Sequence, residues 1–140
     1  VEESMLPRIY REMPLNSIWE GAGNVMCLDV LRALSRSPDV AEAIGAELDT
    51  ARGSDPAFDR FAERLKQRMA AAVTQEAGAR RLTQDIALGV QASVLARCTP
   101  RFVFEPFVAS RLAAEWSGAF GTLLPDSPFE EIVDRALPAR

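Results

Sequence analysis

The chain has 140 residues, 48% of them hydrophobic and 26% charged, the make-up of a globular domain long enough to bury one core. It holds no histidine, which excludes Ser-His and Cys-His catalysis and histidine zinc sites within it; no metal site is expected, and a net charge of −4 weighs against nucleic acid as the main partner. No apolar run approaches the ~18 residues of a membrane span, and nothing at the start reads as a signal peptide. Cys27 and Cys98 each sit among apolar neighbours and read as free, buried and reduced, so the expected location is cytoplasmic.

Residues 1–23 mix Pro7, Pro14, Gly21 and Gly23 with short apolar clusters. The pattern predicts a brief helix near Ser4–Arg11, then extended chain that needs a partner surface. From Asn24 to about Ser35, Val25, Leu28, Leu31 and Met26, Val30, Leu34 recur at three- and four-residue steps, so this helix is apolar around most of its circumference and is expected at the centre. Ser37-Pro38 opens a helix to about Ala51, and Asp55-Pro56 opens the next, each by an N-cap followed by proline. That third helix sets Phe58, Phe61, Leu65, Met69 and Val73 on one face and runs towards Gly78. A fourth, roughly Ala79 to Arg97, carries a stripe of Leu82, Ile86, Val90 and Val94.

Thr99-Pro100 caps again, and Pro106 predicts a kink near Phe104–Pro106 or two short helices. The period continues through Phe107, Leu112 and Trp116, followed by an apolar loop over Phe120–Pro125. Ser127-Pro128-Phe129-Glu130 reads as a capping box before a last helix to Leu137. No strand-like alternation is present. The expected fold is all-α, a bundle of five to seven helices burying Leu28, Leu31, Ile44, Phe61, Leu65, Ile86, Val90 and Leu112.

The most unusual stretch is Ile18-Trp19-Glu20-Gly21-Ala22-Gly23-Asn24. Its glycines permit positive φ and close backbone approach, and it opens a helix whose first N–H groups have no helical partner. With Arg11-Glu12 before it and Val25-Met26-Cys27-Leu28-Asp29-Val30-Leu31-Arg32 after it, the stretch resembles the C-terminal signature of the flavin-dependent acyl-CoA dehydrogenases. There an Arg-Asp pair precedes an aromatic-Glu-Gly-Thr turn and the last long helix of the catalytic fold. The form Trp-Glu-Gly-small-Gly-Asn is similar to the AidB-like branch, related to the adaptive response to alkylation. Ala79-Arg80-Arg81-Leu82, Ser110-Arg111-Leu112 and Phe120-Gly121-Thr122-Leu123 resemble runs in the extra C-terminal helices of that branch.

The resemblance implies the C-terminal portion of a longer enzyme whose ligands are FAD and an acyl-CoA, a homo-oligomer, with the 140-residue chain alone expected to be inactive and to bind no FAD. Residues 1–36 would be the end of the catalytic helical domain and 37–140 a C-terminal helical extension packed with it. Glu20 would be the base that removes the α-proton of the thioester while hydride leaves the β-carbon for the flavin. Such a base must be shielded from water, and Trp19 would supply an apolar wall. Backbone N–H groups of the turn would hold the thioester oxygen. Trp19, Gly21, Ala22 and Asn24 would face the cofactor. Relatives have Thr or Ser where this chain has Ala22, so contact there is through backbone. Asn24 is read equally as the N-cap of its helix.

Arg11 and Glu12 are expected to pair and pin the loop, with Tyr10 and Trp19 as packing residues. A second function class rests on Arg60, Arg64 and Arg68, which recur every four residues on one helix stripe. Like charges at that spacing repel by a few tenths of a kcal/mol, so the stripe is either a solvated face, the favoured reading, or a low-priority DNA contact. Arg80 and Arg81 are expected to make contacts within the bundle. A third class, a pure oligomerisation or docking bundle, stays open because the apolar N-terminal part must be covered.

Overall fold

Several helix starts in this chain stand beside a proline. Asp55 is the clearest case: its Oδ1 accepts from the backbone N–H of Ala57 at 2.6 Å and of Phe58 at 3.1 Å, closing two donors at the start of a helix with Pro56 in its first turn. The computed structural model describes residues 3–19, 21–71, 76–113 and 127–136. Among them are seven α-helices: α1 (Leu6–Glu12), α2 (Gly23–Arg36), α3 (Pro38–Asp49), α4 (Pro56–Ala71), α5 (Ala79–Cys98), α6 (Arg101–Arg111) and α7 (Phe129–Ala136). Two 3₁₀ turns, Met13–Ser17 and Glu76–Gly78, complete the set, and no strand occurs among the described residues. The all-α expectation holds.

Several local expectations need correcting. The stretch after α1 is a 3₁₀ turn over Met13–Ser17 in place of extended chain, and Ser17 Oγ donates to Pro14 O at 2.8 Å. Ser37 stands at the N-cap of α3 but makes no side-chain cap bond. Thr99 closes the end of α5, donating from Oγ1 to Leu95 O at 2.7 Å, and Pro100 takes the N-cap position of α6. That helix runs from Arg101 to Arg111 with Pro106 inside it, so of the two expected outcomes the pair of short helices does not occur. Pro106 is buried, and Ser110 Oγ donates to its carbonyl at 2.6 Å. Val73, Trp116, Phe120–Pro125 and Leu137 lie outside the described residues.

The central helix is α5 and not α2. It packs against α2, α3, α4 and α6. Its buried face is Ala79, Leu82, Asp85, Gly89, Ala92 and Ser93. Val90 is half-buried and Val94 is 41% exposed, so the face is rotated away from the stripe of large apolar residues. Close approach explains the rotation. A Cβ on Gly89 would lie 3.0 Å from Leu48 Cδ2, 3.1 Å from Leu65 Cδ2 and 3.2 Å from Phe61 Cε1, so the glycine lets α3 and α4 close on α5 without pushing these side chains aside. Of the expected core, Leu31, Phe61, Leu65 and Leu112 are buried, Leu28, Ile44 and Ile86 pack half-buried against it, and Val90 is half-buried.

Polar bonds tie α3 to α5. Glu47 Oε1 accepts from the hydroxyl of the fully buried Ser93 and from Arg97 Nη2. Cys27 is buried as expected, but Cys98, the last residue of α5, is exposed, and both are free thiols.

Glycine substitutions read this packing directly. Gly45, inside α3, would place a new Cβ only 3.7 Å from the flexible Lys66 Cε, so Gly45→Ala is expected to stabilise by about 0.5–1 kcal/mol through helix propensity. Gly89→Ala gains the same propensity but must displace three core side chains, an overpacking cost of about 1–3 kcal/mol. The expected net effect is destabilising by about 1 kcal/mol, with Gly89→Val worse. Denaturant midpoints of the two alanine variants check the opposite signs.

Candidate functional site

The 19–24 turn is built by its glycines. Gly21 sits at φ +118, a backbone region that residues with a Cβ rarely adopt. Its N–H donates to Ile18 O at 3.2 Å, and the position of a Cβ on it is 3.7 Å from Val25 Cγ1, so the turn folds back onto the first turn of α2. Ala22 is the N-cap of α2 in extended backbone, with no side-chain cap, and the first helical bond is Met26 N–H to Ala22 O. The first N–H groups of α2 therefore point out of the helix without a capping side chain. Asn24 is not the N-cap, which corrects one of its two readings.

Glu20, the expected base, lies outside the described residues. Around it, the sequence-predicted residues fall as follows. Trp19 is 61% exposed and Tyr10 80% exposed, so neither packs on this bundle as expected. Ala22, Gly23 and Asn24 are exposed, and Gly21 is half-buried. Asn24 Oδ1 accepts from Arg80 Nη2 on α5. The same guanidinium lies over Gly23, 3.4 Å from where a Cβ would stand. That contact joins residues far apart in sequence. The sequence placed Arg80 in contacts within the bundle without naming a partner, since no periodic pattern links residues so distant.

Glu12 does not fill its expected role with Arg11 as a loop clasp; it accepts from Arg8 Nε at 2.9 Å, one turn earlier on α1. The segment leading into the turn and the start of α2 expose many large apolar side chains. Met5, Leu6, Ile9, Met13, Leu15, Ile18, Val25 and Met26 are all exposed, by 41–68%, with Trp19 and Tyr10 among them. These residues are more numerous than the singly scattered apolar side chains of an ordinary surface.

The arginine stripe divides on inspection. Arg68 pairs with Asp85, whose side chain is 7% exposed, and Arg81 Nε stands 4.0 Å from the same carboxylate. Arg60 and Arg64 are exposed on α4. Lys66, beside them, donates to Asp49 Oδ1 at 2.6 Å. That hydrogen bond holds the Asp49 carboxyl below its usual range against an opposing desolvation, with lesser help from the charges of Lys66 and Arg52. The pair lines an open cleft of about 650 Å³ between α3 and α4 that none of residues 19–24 reaches. Among the described residues no group of three or more acidic, cysteine or histidine side chains is placed to hold a metal ion. No helix among them is long and apolar enough to cross a membrane.

Comparison with known proteins gives the chain relatives. No protein-family model matches it, and no solved structure does. Over 99 residues it is 44% identical to AidB of Escherichia coli (strain K12), whose name groups it with the acyl-CoA dehydrogenases; the match covers 71% of this chain and 18% of that protein. It is 31% identical over 75 residues to acyl-CoA dehydrogenase family member 11 of Caenorhabditis elegans, covering 54% of this chain and 12% of that one. The chain thus spans less than a fifth of the length of either relative. An all-α bundle, a glycine turn opening α2 and this identity lead to one conclusion: the chain is a relative of the AidB-like acyl-CoA dehydrogenases.

Proposed function

We propose that this chain is the turn-bearing C-terminal part of a flavin-dependent enzyme that desaturates an acyl-CoA between its α and β carbons. The observation that carries the reading is the coincidence of the 19–24 turn with the apolar surface from Met5 to Met26. The side of the molecule that resembles the catalytic end of the family is also the side left uncovered. Residues 1–36 complete a catalytic helical domain, and 37–140 form the extension packed behind it. Docking of the remaining body onto residues 5–26 would bury Trp19 and exclude water from the turn.

The residues present fit one edge of a flavin. Gly21 brings backbone close without a side chain, the uncapped N–H groups of α2 suit an electronegative atom, and Trp19 offers an aromatic face. When bound, the flavin accepts the hydride from the β-carbon. Glu20 takes the α-proton, the turn's backbone N–H groups hold the thioester oxygen as charge develops, and Trp19 keeps water from the carboxylate. Ala22 contributes backbone only. Homo-oligomerisation belongs to the same reading.

The full-length protein carrying these 140 residues is expected to hold stoichiometric FAD, seen as flavin absorbance after purification or reconstitution. The 140-residue chain alone should hold none, because one edge of contacts cannot offset the immobilisation of a large dinucleotide. A full-length protein that fails to take up FAD under reconstitution would overturn the reading.

A further inference from the structure

We propose that Arg80 is a positioning residue for the cofactor side of the turn, acting through Asn24; this rests on the reading that Asn24 faces the flavin. Arg80 stands in the first turn of α5, 56 positions along the chain from Asn24. Its Nη2 donates to Asn24 Oδ1, and its two terminal nitrogens stand 3.4 and 3.6 Å from a Cβ position on Gly23. A Cβ at this position would make ordinary van der Waals contact with the guanidinium, so the contact joins Arg80 to the first turn of α2 without depending on the glycine.

The chemistry of the pair fixes the amide. A guanidinium has donors and no acceptor, so Asn24 must turn its carbonyl oxygen to Arg80 and its Nδ2 hydrogens elsewhere. Asn24 then offers a donor, and not an acceptor, to whatever meets the turn. The uncapped N–H groups of α2 have the same sense. The atom recognised at this point is therefore a hydrogen-bond acceptor, such as a ring carbonyl or phosphate oxygen of the cofactor.

A purely structural tether would make a different set of measurements move. Helices α2 and α5 already share apolar packing, with Cys27 and Leu31 on one and Leu82 and Ile86 on the other all in the same core. An exposed bond such as Arg80–Asn24 adds little to folding. Removing it should move cofactor affinity and leave stability almost where it was.

The test uses the full-length protein, FAD as the probe, and two readouts: the FAD dissociation constant by flavin fluorescence, and the thermal midpoint of the flavin-free protein. Arg80→Ala is expected to weaken FAD binding roughly tenfold, as loss of one oriented hydrogen bond would, with the flavin-free midpoint unchanged. Arg80→Lys, which can still donate to Oδ1, should recover most of the affinity. Asn24→Asp keeps the partner for Arg80 but loses the Nδ2 donor, so it should weaken FAD at least as much as Arg80→Ala without loss of stability. Combining Arg80→Ala with Asn24→Ala should be no worse than Asn24→Ala alone, because the two act as one unit. An Arg80→Ala protein with unchanged FAD affinity and a lowered midpoint would make the contact a tether and overturn the proposal. Wild-type protein that binds no FAD would overturn this proposal together with the reading beneath it, whereas a wild type that binds FAD and variants that match it would overturn this proposal alone.

Discussion

Phe58→Ala is expected to lower the stability of the bundle by about 3–5 kcal/mol, the largest loss of any single truncation in this core. Phe58 is fully buried at the start of α4, and its ring meets Phe104 of α6 edge-on, with centroids 6.3 Å apart and planes at 62°. Truncation removes the transfer free energy of the ring, the edge contact and the filling of the space between α4 and α6. It leaves the Asp55 cap in place, so the helix can still start and the loss reports tertiary packing. Domains of this size hold only about 5–15 kcal/mol in total, so the variant should be close to unfolding at physiological temperature. A thermal scan should show the midpoint fall by roughly 10 °C or more. Phe58→Leu, which refills most of the volume, should cost no more than about 1.5 kcal/mol. A loss below about 1 kcal/mol for the alanine variant would mean that α6 does not close on α4 as described.

The sequence made the helices legible where local chemistry decides them. Asp55 before Pro56 announces α4 and caps it, and Phe58, Phe61, Leu65 and Met69 mark its buried face in advance. Tertiary closeness was less legible. On α5 the large residues Val90 and Val94 point away from the tightest packing, and the small residues Gly89, Ala92 and Ser93 face it, because helices that close from several sides leave no room for bulk. A periodicity of large apolar residues cannot report a face made of small ones. The same limit moved the centre of the bundle from α2 to α5.

At the site, the turn was legible from its glycines, and Gly21 does adopt positive φ. The exposure of Trp19 and Tyr10 was not, because residue type alone does not say whether a large aromatic side chain is covered by its own bundle. The Arg80–Asn24 contact joins two elements whose registers are set independently, and no spacing rule relates them. Arg68 looked like part of a cationic stripe until Asp85, one helix away, was placed beside it.

On the proposed function, Glu20→Gln in the full-length protein is expected to slow flavin reduction by an acyl-CoA by about 10²–10⁴-fold, the range usual for a general base, with little change in substrate binding. Glutamine keeps the shape and the backbone N–H of the turn but cannot take a proton. A base acts only when ionised, so the wild-type rate should fall as the pH drops through the titration of this carboxyl, and that acid limb should vanish in the variant. A structural carboxylate behaves otherwise. Glu12→Gln, which removes the partner of Arg8 on α1, should leave both the rate and the acid limb in place.

Stopped-flow bleaching of the flavin by an acyl-CoA, wild type against Glu20→Gln, addresses the central claim most directly, because it asks at once whether the protein oxidises a thioester and whether this turn supplies the base. Rapid bleaching is expected in the wild type and a loss of at least about 10²-fold in the variant, with flavin content equal in both. Equal bleaching rates in the two proteins would contradict that claim and would place the base outside residues 19–24.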